Sequence, residues 1–367
     1  MAWHAEPEKR EAALSFLLTL GICANLLELF FPAPPFLPWL KPGLANAFTM
    51  AAIYFFGPGA GLLLALLRSL IAAALSGLPV TSLTLSGAGG LVSAAAMGLL
   101  WQAFGRRGLV SLVGLGMAGA FVHTLTQLMV IYFLFVRNAY AFWQLPLLGP
   151  AAAVTGALTG LLALATVRFL EKQGPMLRAG KPDQADAVSS LIPAIKLVFL
   201  VMFSIVLFRI TELRIHAALA PLILLSLLLR KRKAAPFILL RFLPLLLMTF
   251  LLNAFTEPGT LLPGFPWCTW EGLRKGGLLA LRLINLITLS LHLFRLDDLL
   301  ALLLMVRRRF PRLSPFVNIA VRGIGGIPAA TQAFRESLSN APKGVFNRIR
   351  HLWRAFPAML ESLIRNV

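Results

Sequence analysis

Residues 59–77 read Gly-Ala-Gly-Leu-Leu-Leu-Ala-Leu-Leu-Arg-Ser-Leu-Ile-Ala-Ala-Ala-Leu-Ser-Gly. One charge, Arg68, interrupts an otherwise apolar or small run of 19 residues. At ~1.5 Å of rise per residue, such a run crosses the ~30 Å hydrocarbon layer of a bilayer as one α-helix. Working outward, comparable runs lie near 12–31, 44–57, 83–104, 108–136 and 146–170. The short second run joins the third through Phe56-Gly57-Pro58-Gly59, a tight helical hairpin. A polar, breaker-rich stretch, Glu171 to Ser190, follows, and then apolar runs near 191–210, 216–229, 234–254 and 275–294. The spacing predicts ten spans and no strand.

Composition agrees. Of 367 residues, 58% are hydrophobic and 13% charged, with a net charge of +20. Soluble domains carry about 25% charged residues, so this much apolar surface must face lipid. The charge is lopsided: residues 1–190 hold 11 Lys/Arg against 7 Asp/Glu, and residues 191–367 hold 23 against 7. A soluble enzyme, a disordered tail and a secreted disulfide scaffold are excluded. Nucleic acid is not the expected partner, because the basic residues punctuate apolar runs. Cys23 and Cys268 lie far apart and read as packing residues.

Positive charge orients the spans. With the N-terminus in the cytoplasm, Arg106-Arg107, then Arg168, Lys172, Arg178 and Lys181, then Arg230-Lys231-Arg232-Lys233, all fall inside. The loops Gly77 to Ser82 and Asn253 to Leu273 contain no Lys or Arg and fall outside. Leu296 to Val306, bounded by Asp297-Asp298 and Arg307-Arg308-Arg309, is too short to span and is placed at the inner interface. Beyond it, Arg322, Arg335, Arg348, Arg350, Arg354 and Arg365 are interleaved with Phe316, Phe334, Phe346, Trp353 and Phe356, a pattern of amphipathic cytoplasmic helices. The expected location is the inner (cytoplasmic) membrane, multi-pass, with both termini cytoplasmic.

Ionisable groups at bilayer depth tend to face a bundle interior. Arg68 either pairs with Glu28, the single carboxylate inside the first six spans, or receives an anionic substrate group. Asn25 and Glu28 share a helix face. His123 and Gln127, four apart, continue a stripe through Gly116 and Ala120; hydrogen bonding to a ligand and interior packing are both open readings. Ser86-Gly87-Ala88-Gly89-Gly90 lacks phosphate-loop spacing and reads as close helix packing, with a cavity lining as the alternative. No Gly-x-Ser-x-Gly, His-Glu-x-x-His or Walker lysine loop occurs, and no carboxylates are spaced to hold a diphosphate through magnesium. No catalytic residue, metal or cofactor is expected.

The first half resembles a known family. Leu37-Pro38-Trp39-Leu40-Lys41-Pro42-Gly43-Leu44-Ala45-Asn46, Leu67-Arg68, the Ser86–Gly90 run, Gly116 through His123, Gln127 and Leu145-Pro146-Leu147-Leu148-Gly149-Pro150 occur in the order of the Gx transporter family, also called heptaprenyl diphosphate synthase component I. Thr124 and Thr126 stand where that family usually has Asn and Gly. The family is similar to the substrate-capturing S components of energy-coupling-factor transporters, six-helix bundles that bind vitamins or their precursors. Asn46, Arg68, His123 and Gln127 are the candidate ligand or gating residues, with Glu28 and Asn25 beside them.

The second half resembles the transmembrane (T) component of the same transporters. The resemblance rests on Ile192-Pro193-Ala194-Ile195-Lys196-Leu197, Gly272-Leu273-Arg274-Lys275-Gly276-Gly277, Leu296-Asp297-Asp298-Leu299-Leu300 and the basic helices. It implies coupling to separate cytoplasmic ATPase subunits through Arg322, in Ala320-Val321-Arg322-Gly323, and through Arg307, Arg308 and Arg309. The expectation is therefore an all-α integral membrane protein in three parts. An S-component-like six-helix bundle (1–172) captures a small organic substrate. A polar linker (173–190) leads to a T-component-like membrane domain of about four spans with basic amphipathic cytoplasmic helices (191–367). The alternative is a non-catalytic membrane subunit of a quinone, prenyl-diphosphate or flavin-based electron-transfer system.

Overall fold

The computed structural model describes residues 7–28, 43–75, 83–173, 191–229, 235–293 and 296–340, with short stretches at 351, 354–357 and 360–361. Residues 29–42, the linker stretch 174–190, the basic loop 230–234 and Arg348, Arg350 and Arg365 lie outside the described residues, as do both termini.

The first half is a helical bundle. Its helices are α1 (Pro7–Glu28), α2 (Ala45–Phe56), α3 (Pro58–Leu75), α4 (Ala88–Ala103), α5 (Leu112–Val130) and α6 (Leu145–Gln173). A π-turn, Leu83–Gly87, leads into α4, and a π-helical stretch, Ile131–Val136, continues α5. Gly57 forms the expected α2–α3 turn at φ +87°, a conformation without penalty only for glycine. Ser111 caps α5 by accepting from the Gly114 amide at 3.1 Å. The interior is rich in alanine, with Ala13, Ala47, Ala51, Ala52, Ala65 and Ala73 at most 1% exposed. Small side chains suit a membrane bundle, where close van der Waals packing replaces the hydrophobic effect between helices.

The second half comprises α7 (Ile192–Arg209), α8 (Leu213–Leu229), α9 (Ala235–Thr256), α10 (Trp270–Leu293), α11 (Leu296–Arg309), α12 (Ser314–Gly325) and α13 (Ile327–Ser339). Helix α10 is the hub, packed against α7, α8 and α9. Gly272 and Gly276 make its closest approach possible: a Cβ at either would stand 2.5 and 2.6 Å from the carbonyls of Asn253 and Phe250 on α9. The Gly272–Gly276 spacing is thus a helix-packing device.

One expectation is corrected. Between α9 and α10 lies an antiparallel hairpin, β1 (Leu261–Leu262) and β2 (Phe265–Thr269). Its turn is Pro263-Gly264, with Gly264 at φ +82°. Pro presets one corner and Gly takes the positive φ at the other, so two residues suffice to reverse the chain.

Six of the described helical stretches are long and apolar enough to cross a membrane: Pro58–Leu75, Leu83–Ala103, Leu112–Leu134, Ala139–Lys172, Ile192–Arg209 and Trp270–Leu293. Shorter apolar helices, Ala45–Phe56, Leu213–Ile223 and Phe242–Thr256, accompany them. Contacts between helix ends respect the sides that the charge pattern predicts. Tyr54 donates to Glu171 at 3.2 Å, and Lys196 pairs with Asp298 at 2.8 Å, all on predicted inner ends. Asn138 donates to Thr256 at 2.5 Å, both on predicted outer ends.

The halves meet along two seams. At one, α12 and α13 lie on α1, and α11 touches α3. A Cβ at Gly323 would sit 2.8 Å from Leu18, and Thr19 donates to the Gly323 carbonyl at 3.0 Å. At the other, Leu128, Ile131, Val136 and Leu148 share an apolar cluster with Leu245, Leu283 and Ile287. There Asn253 donates to the Val136 carbonyl at 3.2 Å.

Candidate ligand site in the first bundle

Helices α5 and α6 cross with their backbones in contact. A Cβ at Gly116 would lie 2.4 Å from the Gly156 carbonyl, and one at Gly160 would lie 2.5 Å from Val113 Cα. This contact explains the small-residue stripe on α5: its partner is the Gly156-x-x-x-Gly160 face of α6. Beside the crossing, α2, α4, α5 and α6 enclose a cavity of about 10 Å³, room for one water molecule. It is lined by Gly43, Asn46, Met50, Met97, Gly116, Ala120, His123, Thr124, Thr155 and Thr159.

Two of the predicted residues, Asn46 and His123, line this cavity. Arg68 stands behind Asn46, 3% exposed, and its Nη2 donates to Asn46 Oδ1 at 3.0 Å. The guanidinium therefore holds a cavity-lining side chain in place rather than facing the cavity itself. Glu28 lies within electrostatic reach of Arg68. Its Oε1 also accepts from the Ala45 amide at 3.3 Å, at the first residue of α2. Leu44 has no capping side chain, so a carboxylate from α1 supplies the acceptor that the N-terminus of α2 needs, with the sign that the helix dipole favours.

The glycines of α4 make room for these side chains. A Cβ at Gly89 would meet His123 at 3.0 Å and Gln127 at 3.1 Å, and one at Gly90 would meet Arg68 Nη2 at 3.2 Å. Gly21 on α1 borders the Arg68 stem in the same way, at 3.2 Å. The Ser86–Gly90 run thus serves as a floor over which Arg68, His123 and Gln127 pass. Gln127 is buried behind the cavity wall. Asn25 is half-buried on α1 and does not line the cavity.

The cavity adds Met50, Met97, Thr155 and Thr159 to the predicted set. Thr155 and Thr159 lie four apart on α6, and each hydroxyl donates to its own helix, Thr155 to Ala151 at 2.9 Å and Thr159 to Thr155 at 2.8 Å. The (i, i+4) spacing was the available signal.

The coupling candidates are dispersed. Arg308 and Arg309 are exposed at the end of α11, and Arg307 is half-buried. Arg322 is half-buried on α12, the helix that lies on α1, and its Nε and Nη1 are buried with no hydrogen-bond partner among the described residues.

Fold and site together define a multi-pass helical membrane protein with a polar cavity inside its first bundle. Residues 17–166, from α1 into α6, match the family described as heptaprenyl diphosphate synthase component I. No curated protein and no solved structure matches the chain.

Proposed function

We propose that the protein is a membrane transport component in which the first bundle captures a small organic substrate and the second half links it to cytoplasmic ATPase subunits. The observation that carries this reading is the cavity itself. Asn46, His123, Thr124, Thr155 and Thr159 bring polar side chains from three helices to one cavity among apolar helices, and a buried polar site in a membrane bundle is where function is expected. Met50 and Met97 supply adaptable apolar walls. Room for one water corresponds to a closed state, and loading requires α2 to shift against α5 and α6. The chain is non-catalytic in this reading, and the basic turn of α11 with α12 and α13 forms the coupling region of a T-component-like half.

Mass spectrometry of small molecules retained by the purified full chain tests the capture step. A retained molecule lost on Asn46→Ala and His123→Ala supports it, whereas retention that is indifferent to both overturns it. Co-purification with tagged energy-coupling-factor ATPases tests the coupling step, which fails if none associates and Arg322→Glu leaves uptake intact.

A second reading is a non-catalytic membrane subunit of a quinone, prenyl-diphosphate or flavin-based redox system. The position of Arg322 favours it, because the guanidinium is partly buried in the protein instead of standing free for a partner. Association with a soluble prenyl-transfer or flavin-transfer enzyme, and with no ATPase, is the outcome that selects it.

A further inference from the structure

Arg282 is the deepest cation of the second half among the described residues, 3% exposed in the middle of α10. Its Nη2 donates to the carbonyl of Ile210 at 2.6 Å, where α7 ends, and its guanidinium carbon stands 5.7 Å from the centre of the Phe208 ring. Nε is buried with no acceptor. No carboxylate pairs with it among the described residues. Its ionic neighbour is Arg137, of the same sign, exposed at the end of the π-helical stretch. One helical turn further along α10, the fully buried Asn285 donates to the carbonyl of His216 at 3.1 Å and leaves its own Oδ1 without a partner. The cluster therefore holds a buried positive charge with a second one nearby and, among the described residues, no carboxylate paired with it, the opposite of the pairing that buried charges require.

Depth indicates what supplies the anion. The turn 210–212 separates two apolar helices, and Arg209, Glu212 and Arg214 around it are exposed. Such a polar break between spans belongs at the headgroup level of the bilayer. Arg282 reaches that level because it binds Ile210. Just below, α7 exposes Met202, Ile205 and Val206, a surface suited to acyl chains.

We propose that Arg282 and Arg137 form a seat for the phosphate of an anionic phospholipid at the α7–α8 turn, with its acyl chain along α7. A guanidinium matches phosphate oxygens in charge and geometry, and the lipid neutralises a cation that no carboxylate pairs with among the described residues. The lipid also bridges the two halves, since Arg137 belongs to the first and Arg282 to the second.

Native mass spectrometry of the full chain tests this, with phosphatidylglycerol, phosphatidylcholine or inorganic phosphate added to wild type, Arg282→Gln, Arg137→Gln and Arg335→Gln. The last removes an exposed charge of α13 and controls for attraction to the basic tract. Wild type and Arg335→Gln are expected to retain phosphatidylglycerol alike, and the two seat variants are expected to lose about fivefold or more, the effect of one basic residue at an anionic lipid surface. Phosphatidylcholine is expected to show no difference among the four, and inorganic phosphate to leave phosphatidylglycerol in place. Equal retention in all four overturns the proposal, and so does displacement by inorganic phosphate, which would make the ligand a soluble anion. If Arg282→Gln fails to fold, Arg137→Gln, at an exposed position, decides alone.

Discussion

Arg68 holds Asn46: the Nη2 of a buried arginine on α3 donates to the side-chain carbonyl of an asparagine on α2, at 3.0 Å. The cation is thereby used to fix the orientation of an amide that lines the cavity. Asn46→Ala leaves a buried guanidinium nitrogen without its acceptor. A hydrogen bond to a charged group is worth about 1.5–3 kcal/mol, so a loss of stability of that order is expected in detergent unfolding. Asn46→Asp keeps an acceptor oxygen and is expected to retain most of the stability.

The α5–α6 crossing yields a sharper test. Gly116→Ala places a methyl group 2.4 Å from the Gly156 carbonyl, and its three nearest atoms are all backbone, which cannot yield as a side chain does. The expected cost is about 1–3 kcal/mol, the usual range for overpacking. Gly59, exposed on α3 and followed by Ala60, has nothing within 4 Å of its Cβ direction. Gly59→Ala is therefore expected to be neutral or to stabilise by about 0.5 kcal/mol or more through the unfolded chain. Thermal unfolding of the two variants side by side checks the difference, and equal effects would refute the packing account.

Glu28 offers a test of capping across helices. Glu28→Gln keeps an oxygen for the Ala45 amide but removes the negative charge near buried Arg68 as well as at the α2 N-terminus, so a cost of about 3–5 kcal/mol is expected. Glu28→Ala removes both and is expected to cost about 1–2 kcal/mol more. The ordering Ala worse than Gln is the diagnostic result.

The outer seam is open to chemical cross-linking. In a background with Cys23 and Cys268 replaced by serine, Asn138→Cys with Thr256→Cys is expected to close with a short thiol-reactive bridge, because the native side chains touch. Cutting at a specific protease site introduced between the halves, followed by denaturing electrophoresis, reads the link as a single band where the unlinked protein gives two.

Helix positions were legible in the sequence because lipid imposes one strong rule: about twenty apolar residues and then a break. The predicted run 44–57 is α2 at Ala45–Phe56, and 59–77 is α3 at Pro58–Leu75. Burial of Arg68 was legible for the same reason. What periodicity could not supply was which faces meet. Thr155 and Thr159 look like ordinary residues of a long apolar helix until Gly156 and Gly160 bring that face against Gly116. The Glu28 contact with Ala45 joins residues 17 apart across a chain reversal, where no helical or strand spacing applies. The β-hairpin was missed because each strand is too short for an alternation to register, although Pro263-Gly264 was its visible mark. Arg322 belonged to a basic tract that reads as a docking surface, and only the position of Gly323 against Leu18 shows that α12 is bound to α1.

The two seams also constrain how the halves can move. One joins the α12 backbone to the middle of α1, at Leu18 and Thr19, and the other joins Asn138 and Val136 to the last turns of α9. Sliding the halves past each other would break both sets of contacts at once. The outer seam hangs on a few polar bonds beside an apolar cluster, whereas Gly323 brings α12 into close contact with α1. The α1–α12 contact therefore ties the basic helices of the second half to α1, the helix whose Glu28 caps α2 beneath Asn46.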